Sequence, residues 1–568
     1  MHLKISIRNR GLFEIVLGIV AIILVIYIAS FAYLRFDLTS EKRFTLDKNT
    51  KETLSNLDDI VHVTVYLDGD LPLGFRHMRR ELKELLDEFE VYGQRLFQFE
   101  FINPTASANK TEREALLRSL NDKGLEPTNV QERDTKGGSS QRVIFPGAII
   151  SCKGKETVVN LLKNNPGHSG EENINTSIQG FEYALLSAIL KVQTDSLPKL
   201  AFVHGHGQLD DFETGDIAQE LVEQFEVHRV KLGGEVGGLD PYAVVIMAGP
   251  TERVPERDKL VLDQYIMGGG KVLWFVDGVT VSIDSLSTGA NTLAFPNDHN
   301  LEDILFRYGV RINPNLIQDM QCAVVPVNVS LPGQDSRFAP APWVYYPLLN
   351  SPGSHPVTRN LNPIATKFIS PIDTVGMNHE VNKQFLLRTS PYVRTVNVPA
   401  FINLAQIEQS PLEGEFTQSN IPVAVLLEGM FPSVFTNRPL ASYNNGNPFR
   451  FREKSVPTRM IIVSDADVIR NEVRRRGDGA YIIPLGFDRY TNQTYGNKDL
   501  IVNMVNYLND DSGLMNLKSR EFKLRLLDKN KVLEHRTKWQ VLNLLIPSLT
   551  LMVFVGIWLL IRRKRYVK

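Results

Sequence analysis

The chain has 568 residues, 43% hydrophobic and 22% charged, a globular balance whose 63 basic and 64 acidic side chains leave a net charge of −1. No strong positive excess exists to attract a polyanion, so no nucleic-acid partner is expected. The near-zero sum is a cancellation. Residues 1–14 carry +2 and residues 562–568 carry +5, and taking both from −1 leaves −8 on residues 35–540.

The uncharged stretches 15–34 and 541–561 separate these blocks. Each is long enough for a helix across about 30 Å of hydrocarbon. Short cationic tails stay on the cytoplasmic side, so 1–14 and 562–568 predict N-in and C-in orientation in the inner (cytoplasmic) membrane, with the acidic body in the periplasm. Arg35, Lys42, Arg43, Lys523, Arg525 and Lys529 lie on the other flanks and oppose that reading. Ser30-Phe31-Ala32 resembles a signal-peptide cleavage site, but the apolar run exceeds the roughly 7–15 residues of a signal core. Cys152 and Cys322 belong to no CxxC or zinc-type cluster, and unpaired structural thiols are expected.

Residues 35–196 predict an α/β domain. Alternation at 61–67 (VHVTVYL) gives a strand, and Met78, Leu82, Leu85, Leu86 and Phe89 give a helix over 76–92. A strand at 97–102, a helix at 110–122, strands at 142–151 and 155–161 and a helix at 176–192 follow. Residues 131–142 read as a polar loop. The order βαβαββα resembles a thioredoxin-like sandwich; without redox cysteines it is a scaffold.

A second α/β unit spans 197–515. Short β-rich runs at 200–204, 226–230, 243–247 and 271–277, with helices near 213–225 and 255–267, predict a doubly wound parallel sheet. The runs 422–427 and 460–464 and a helix near 499–509 complete it after an insertion at about 313–420. Eight prolines between Pro326 and Pro363 predict extended loops in that insertion. Its Trp343, Tyr345 and Tyr346 are read either as packing on the sheet or as a contact surface for a partner or glycan. Residues 516–540 form a juxtamembrane segment before the second span.

The candidate crevice lies at the carboxyl ends of the sheet strands, where open α/β sheets bind ligands. It comprises His204, Gly205, His206, Gly207, Asp277, Asp465 and Asp467, beside Gly249-Pro250-Thr251. GHGQLD lacks the third glycine of a dinucleotide fingerprint. In Gly268-Gly269-Gly270-Lys271, Tyr265 and Val272 occupy the glycine and hydroxyl positions of a phosphate loop, so the segment reads as a helix stop before a strand. No nucleophile elbow is present, and Glu428 reads as a rim carboxylate. No cofactor, metal or catalytic residue is expected. In the second span, Asn543, Pro547, Ser548, Thr550 and Gly556 are candidates for contact with a partner's membrane helix.

An ordered set of segments carries a family resemblance: DLTSEKRFTL (37–46), HGHGQLDD (204–211), GGGKVLWFVD (268–277), LEDILFRYGVRI (301–312), WVYYPLL (343–349), HPVTRNL (355–361), LLRTSPYVR (386–394), VLLEGMFPSVF (425–435), IIVSDADVIRNE (461–472) and YGNKDLIVNMVNYL (495–508). With the two terminal spans, they make the chain resemble the gliding-motility-associated ABC transporter auxiliary proteins of the GldG family, over essentially its whole length. The resemblance implies a non-ATPase subunit working with an ABC permease and an ABC ATPase in Bacteroidetes-type bacteria, and a central domain related to glutamine-amidotransferase-like folds. Neither Cys152 nor Cys322 has the elbow setting of an amidotransferase nucleophile. The alternatives are an extracytoplasmic receptor using the crevice and, more remotely, a hydrolase. The client in the envelope or periplasm is open.

Overall fold

The computed structural model describes residues 16–24, 26–27, 45–107, 109–133, 139–163, 169–194, 196–282, 285–286, 291–328, 330, 337–350, 353, 355–376, 380–408, 413–439, 449–476, 479–519 and 534–566. The chain divides into two compact units, 44–520 and 1–43 with 521–568.

Within the first unit, β1 (Val61–Val65), β2 (Phe97–Phe101), β5 (Gly147–Cys152) and β6 (Lys155–Asn160) form a sheet in the order β2-β1-β5-β6. β1 runs parallel to β2 and antiparallel to β5. The alternation read in VHVTV is literal: Val61, Val63 and Val65 are buried while His62 and Thr64 are partly exposed. The Leu73–Gly93 helix buries Phe75, Met78, Leu82, Leu86 and Phe89, one stripe at three- and four-residue spacing.

Three local expectations change. The strand expected at 142–151 is two strands, because Pro146 has no amide to continue the ladder: β4 (Ser139–Ile144) ends before it and β5 starts after it. The polar 131–142 stretch supplies arms of a hairpin, β3 (Thr128–Arg133) pairing with β4. The helix expected at 176–192 is two, Gly170–Gln179 and Phe181–Gln193, divided at Gly180; Ser169 and Glu172 close a capping box on the first.

The central sheet has seven strands. β8 (Glu226–Lys231), β7 (Lys199–His204), β9 (Val244–Ala248), β10 (Lys271–Phe275) and Thr458–Val463 are mutually parallel in that order. The expectation of a parallel sheet fails at its far side, where Pro422–Gly429 is antiparallel to Thr458–Val463 and Val381–Arg388 is antiparallel to Pro422–Gly429. A parallel return needs a crossover, usually a helix, and no helix lies among the described residues between Gly429 and Thr458. The Val381–Arg388 strand falls inside the stretch read as an insertion, so that stretch contributes to the main sheet.

Alternate residues feed two cores. Leu200, Phe202, Val244 and Ile246 meet Ile217 and Leu221 of the Gly215–Val222 helix and Leu500, Ile501, Met504 and Val505 of the Asn497–Asn509 helix. Ala201, Val203, Val245 and Met247 meet Leu262, Tyr265 and Ile266 of the Glu256–Met267 helix. Cover on both faces explains why β9 is apolar at every position.

The remaining insertion is strands and short 3-10 turns among the described residues. Trp343 and Tyr345 are buried in the Phe338–Leu349 strand, with the Trp343 ring 4.8 Å from Tyr346 and 5.5 Å from Phe368. These aromatics are an interior cluster, which corrects their reading as a contact surface.

In the second unit, Arg536–Tyr566 is one helix containing Pro547, of which Arg536–Lys564 is long and apolar enough to cross a membrane. At about 1.5 Å per residue it exceeds the hydrocarbon thickness. Residues 16–24 and 26–27 are helical with exposed apolar side chains; the rest of the first expected span lies outside the described residues.

Candidate functional site

The carboxyl ends of the parallel strands hold two separate polar constellations. In the first, β7 ends at His204, whose side chain is exposed, and the chain turns through Gly205 (φ +110°) and Gly207 (φ +69°). The glycines serve contact between loops. A Cβ on Gly207 would lie 2.1 Å from Thr251 Oγ1, which donates to the Gly207 carbonyl, and the amides of Thr251 and Glu252 donate to the His206 carbonyl. The close approach that glycine permits is thus taken up by the neighbouring loop.

His206 is buried, with Nε2 2.8 Å from Asp258 Oδ2. Gln208 Oε1 accepts from the His206 amide, and Gln208 Nε2 lies 3.1 Å from Nδ1. A Gln208 amide donating to Nδ1 assigns the proton to Nε2, facing Asp258. Both ring nitrogens are therefore engaged, neither by a hydroxyl or a thiol.

The second constellation unites Asp277, Asp465 and Asp467 around Arg470. Asp277 Oδ1 accepts from the Ala466 amide at 2.7 Å. Asp465 is fully buried, with Oδ2 accepting from the Lys367 amide and Oδ1 from the Asp467 amide. Asp467 pairs with Arg470 Nη1 at 3.0 Å, and Arg470 Nε lies 3.5 Å from Glu213. Burial, and then the Asp467 charge, pushes the Asp277 carboxyl up to about 6. Burial followed by Asp467 and Asp277 raises Asp465 well above the carboxylate range. Burial opposes the Arg470 charge, yet the surrounding acids outweigh it and raise that group.

The structure thus gathers three of the seven crevice residues and gives His206 different partners. Asp258, Gln208, Arg470, Glu213 and Lys367 escaped sequence reasoning; only Asp467 and Arg470, three residues apart, left a local signal. Among the described residues no group of three or more His, Cys, Asp and Glu is arranged for a metal. Lys271 pairs with Asp511 at 2.6 Å, and Gly268 caps the preceding helix, followed by Gly269 at φ +100°. Glu428 accepts from the Tyr507 hydroxyl at 2.9 Å. Cys152 and Cys322 are free; burial raises both thiols, Cys322 to about 11, away from nucleophilic thiolate character.

A third constellation, unforeseen, clamps the Glu256–Met267 helix. Lys259, with no exposed surface, reaches Glu256 at 3.0 Å and Asp303 at 2.6 Å, and Arg438 reaches the same two acids at 2.8 and 2.7 Å.

Residues 197–504, more than half of the chain, match the family described as an ABC-type uncharacterized transport system, and residues 40–151 match a domain of unknown function, DUF7088. An uncharacterized protein of Borreliella burgdorferi is 21% identical over 322 residues, covering 56% of this chain; the chain spans 58% of that relative's length. The mmIFT52 N-terminal domain is similar at 13% identity with a TM-score of 0.30, over 55% of this chain and 96% of that one.

Proposed function

The chain belongs to the ABC-type uncharacterized transport system family of auxiliary proteins, and from that premise we propose that it is a non-ATPase auxiliary subunit anchored in the inner membrane by both ends. Its extracytoplasmic body links an ABC permease and its ATPase to a client in the envelope. In this reading residues 35–196 are a thioredoxin-like scaffold and 197–515 an amidotransferase-like auxiliary domain. The resemblance to GldG-type sequences extends the role to gliding motility.

The observation that carries the reading is the attachment of this auxiliary domain to an apolar helix, Arg536–Lys564, with no part of its most apolar stretch buried. A soluble protein would leave that surface in water at a cost of about 25 cal/mol per Å². Affinity purification of the full chain from gently solubilised membranes should recover a permease and an ATPase in stoichiometric amounts. Recovery of the chain alone, with no such complex in crosslinked membranes, sinks the proposal.

The polar strand ends, His204 to Gly207 on one side and Asp277, Asp465 and Asp467 on the other, support a second reading, an extracytoplasmic ligand receptor using that crevice. The double variant His206→Ala/Asp465→Ala should then lose function at unchanged abundance; full activity at unchanged abundance removes this reading.

A further inference from the structure

We propose that the chain's two membrane helices pair with each other, antiparallel, through the Ser548 and Gly556 face of the C-terminal helix, leaving the Asn543, Pro547 and Thr550 face for the permease. The proposal rests on the two-span reading above and names what each face of the second span meets.

The first support is where the body begins and ends. The Asn49 side-chain amide donates to the Ser512 carbonyl at 2.9 Å. Glu182, at the start of the Phe181–Gln193 helix, accepts from the Asp47 amide and the Thr50 hydroxyl, and its neighbour Tyr183 donates to Met515 Sδ at 3.1 Å. Both ends of the body are therefore fastened to one helix. Residues 35–44 and 520–535, whatever their conformation, extend at most about 35 Å and 55 Å. Two spans tethered to one place meet at high effective concentration.

The second support is the shape of the C-terminal helix. At 100° per residue, Val541, Leu545, Ser548, Met552, Gly556 and Leu559 form one stripe, and Asn543, Pro547, Thr550, Phe554 and Ile557 form the opposite one. Gly556 has open space where a Cβ would stand, and small residues let helices approach closely in a membrane.

The first span matches that stripe. Aligning the body-side ends of the spans, Leu34 and Val541, sets Tyr27 level with Ser548, Ile23 with Met552, Ile19 with Gly556 and Val16 with Leu559. Val16, Ile19, Ile23 and Tyr27 share one helical face and are all exposed. Ile19 then fills the gap at Gly556, large against small. On the opposite stripe Pro547 offers no amide to the Asn543 carbonyl, an acceptor left free for a partner at the body-side end of the span.

Paired cysteines in the full chain, oxidised in native membranes, test the assignment. Ile23→Cys with Met552→Cys, and Val16→Cys with Leu559→Cys, should crosslink within one chain about tenfold more than Ala21→Cys with Phe554→Cys, which sits at equal depth on the far faces. Gly556→Leu should cut the Ile23/Met552 crosslink several-fold. Equal crosslinking of all pairs, crosslinks between two copies, or none at all overturns the pairing. Labelling of cysteines placed at positions 5 and 567 from the cytoplasmic side separates the failures. If both label only from that side, the two-span reading stands and the pairing alone is wrong.

Discussion

Two charged clusters built around the same central sheet behave in opposite ways. Glu256, Lys259, Asp303 and Arg438 are matched, two acids to two bases, and although burial alone would raise Asp303, Lys259 and Arg438 outweigh it and hold the carboxyl low. Asp277, Asp465, Asp467 and Glu213 share Arg470, and burial first, then the unmatched neighbouring acids, raises Asp277 and Asp465. Burial is common to both; stoichiometry decides whether it yields a clamp or a proton-binding centre.

The largest effect should come from unbalancing the matched cluster. Lys259→Ala leaves two carboxylates with only Arg438, and thermal unfolding of the detergent-solubilised chain should show a loss of about 3–5 kcal/mol. A loss under 1 kcal/mol would mean that water already screens the site.

A middle effect belongs to the surplus cluster. The folded pKa of Asp277, about 6, lies above its ordinary value of 3.8, so the folded state binds more protons than the unfolded chain between those values. Stability from this group therefore falls as pH rises from about 4 to 6 and stays reduced above, by roughly 3 kcal/mol. Asp277→Asn retains an acceptor for the Ala466 amide and removes the charge. It should stabilise the protein at pH 7.5 by about 1–2 kcal/mol and flatten the stability profile between pH 4 and 6; an unchanged profile refutes the raised pKa.

The smallest effect should be at His204, which the sequence places beside His206 but whose side chain is exposed. His204→Ala should change stability by less than about 0.5 kcal/mol, and a larger shift in the same unfolding assay would reveal a partner for the imidazole.

The same contrast explains what the sequence could disclose. Strands such as VHVTV and VVIMA announced themselves because burial on one or both faces dictates residue type at period two or one. The Pro146 and Gly180 breaks were visible as residues, but whether such a residue ends an element or sits between two depends on neighbours distant in the chain. The direction of Pro422–Gly429 was hidden because an apolar run reads the same in either sense. The three aspartates were found because strand ends are a general location for polar function. Asp258 was not, since the histidine it meets lies on another element, and Arg470 carried only the weak signal of Asp467 three residues before it. The apolar helix at the C-terminal end was legible by length alone.

The body starts and finishes on the Phe181–Gln193 helix, where Glu182 receives its first residues and Tyr183 its last. In mechanical terms this places both attachments at one bearing. Tension applied between the two ends meets the hydrogen bonds of Glu182 and Tyr183 first, before any of it reaches the seven-stranded sheet.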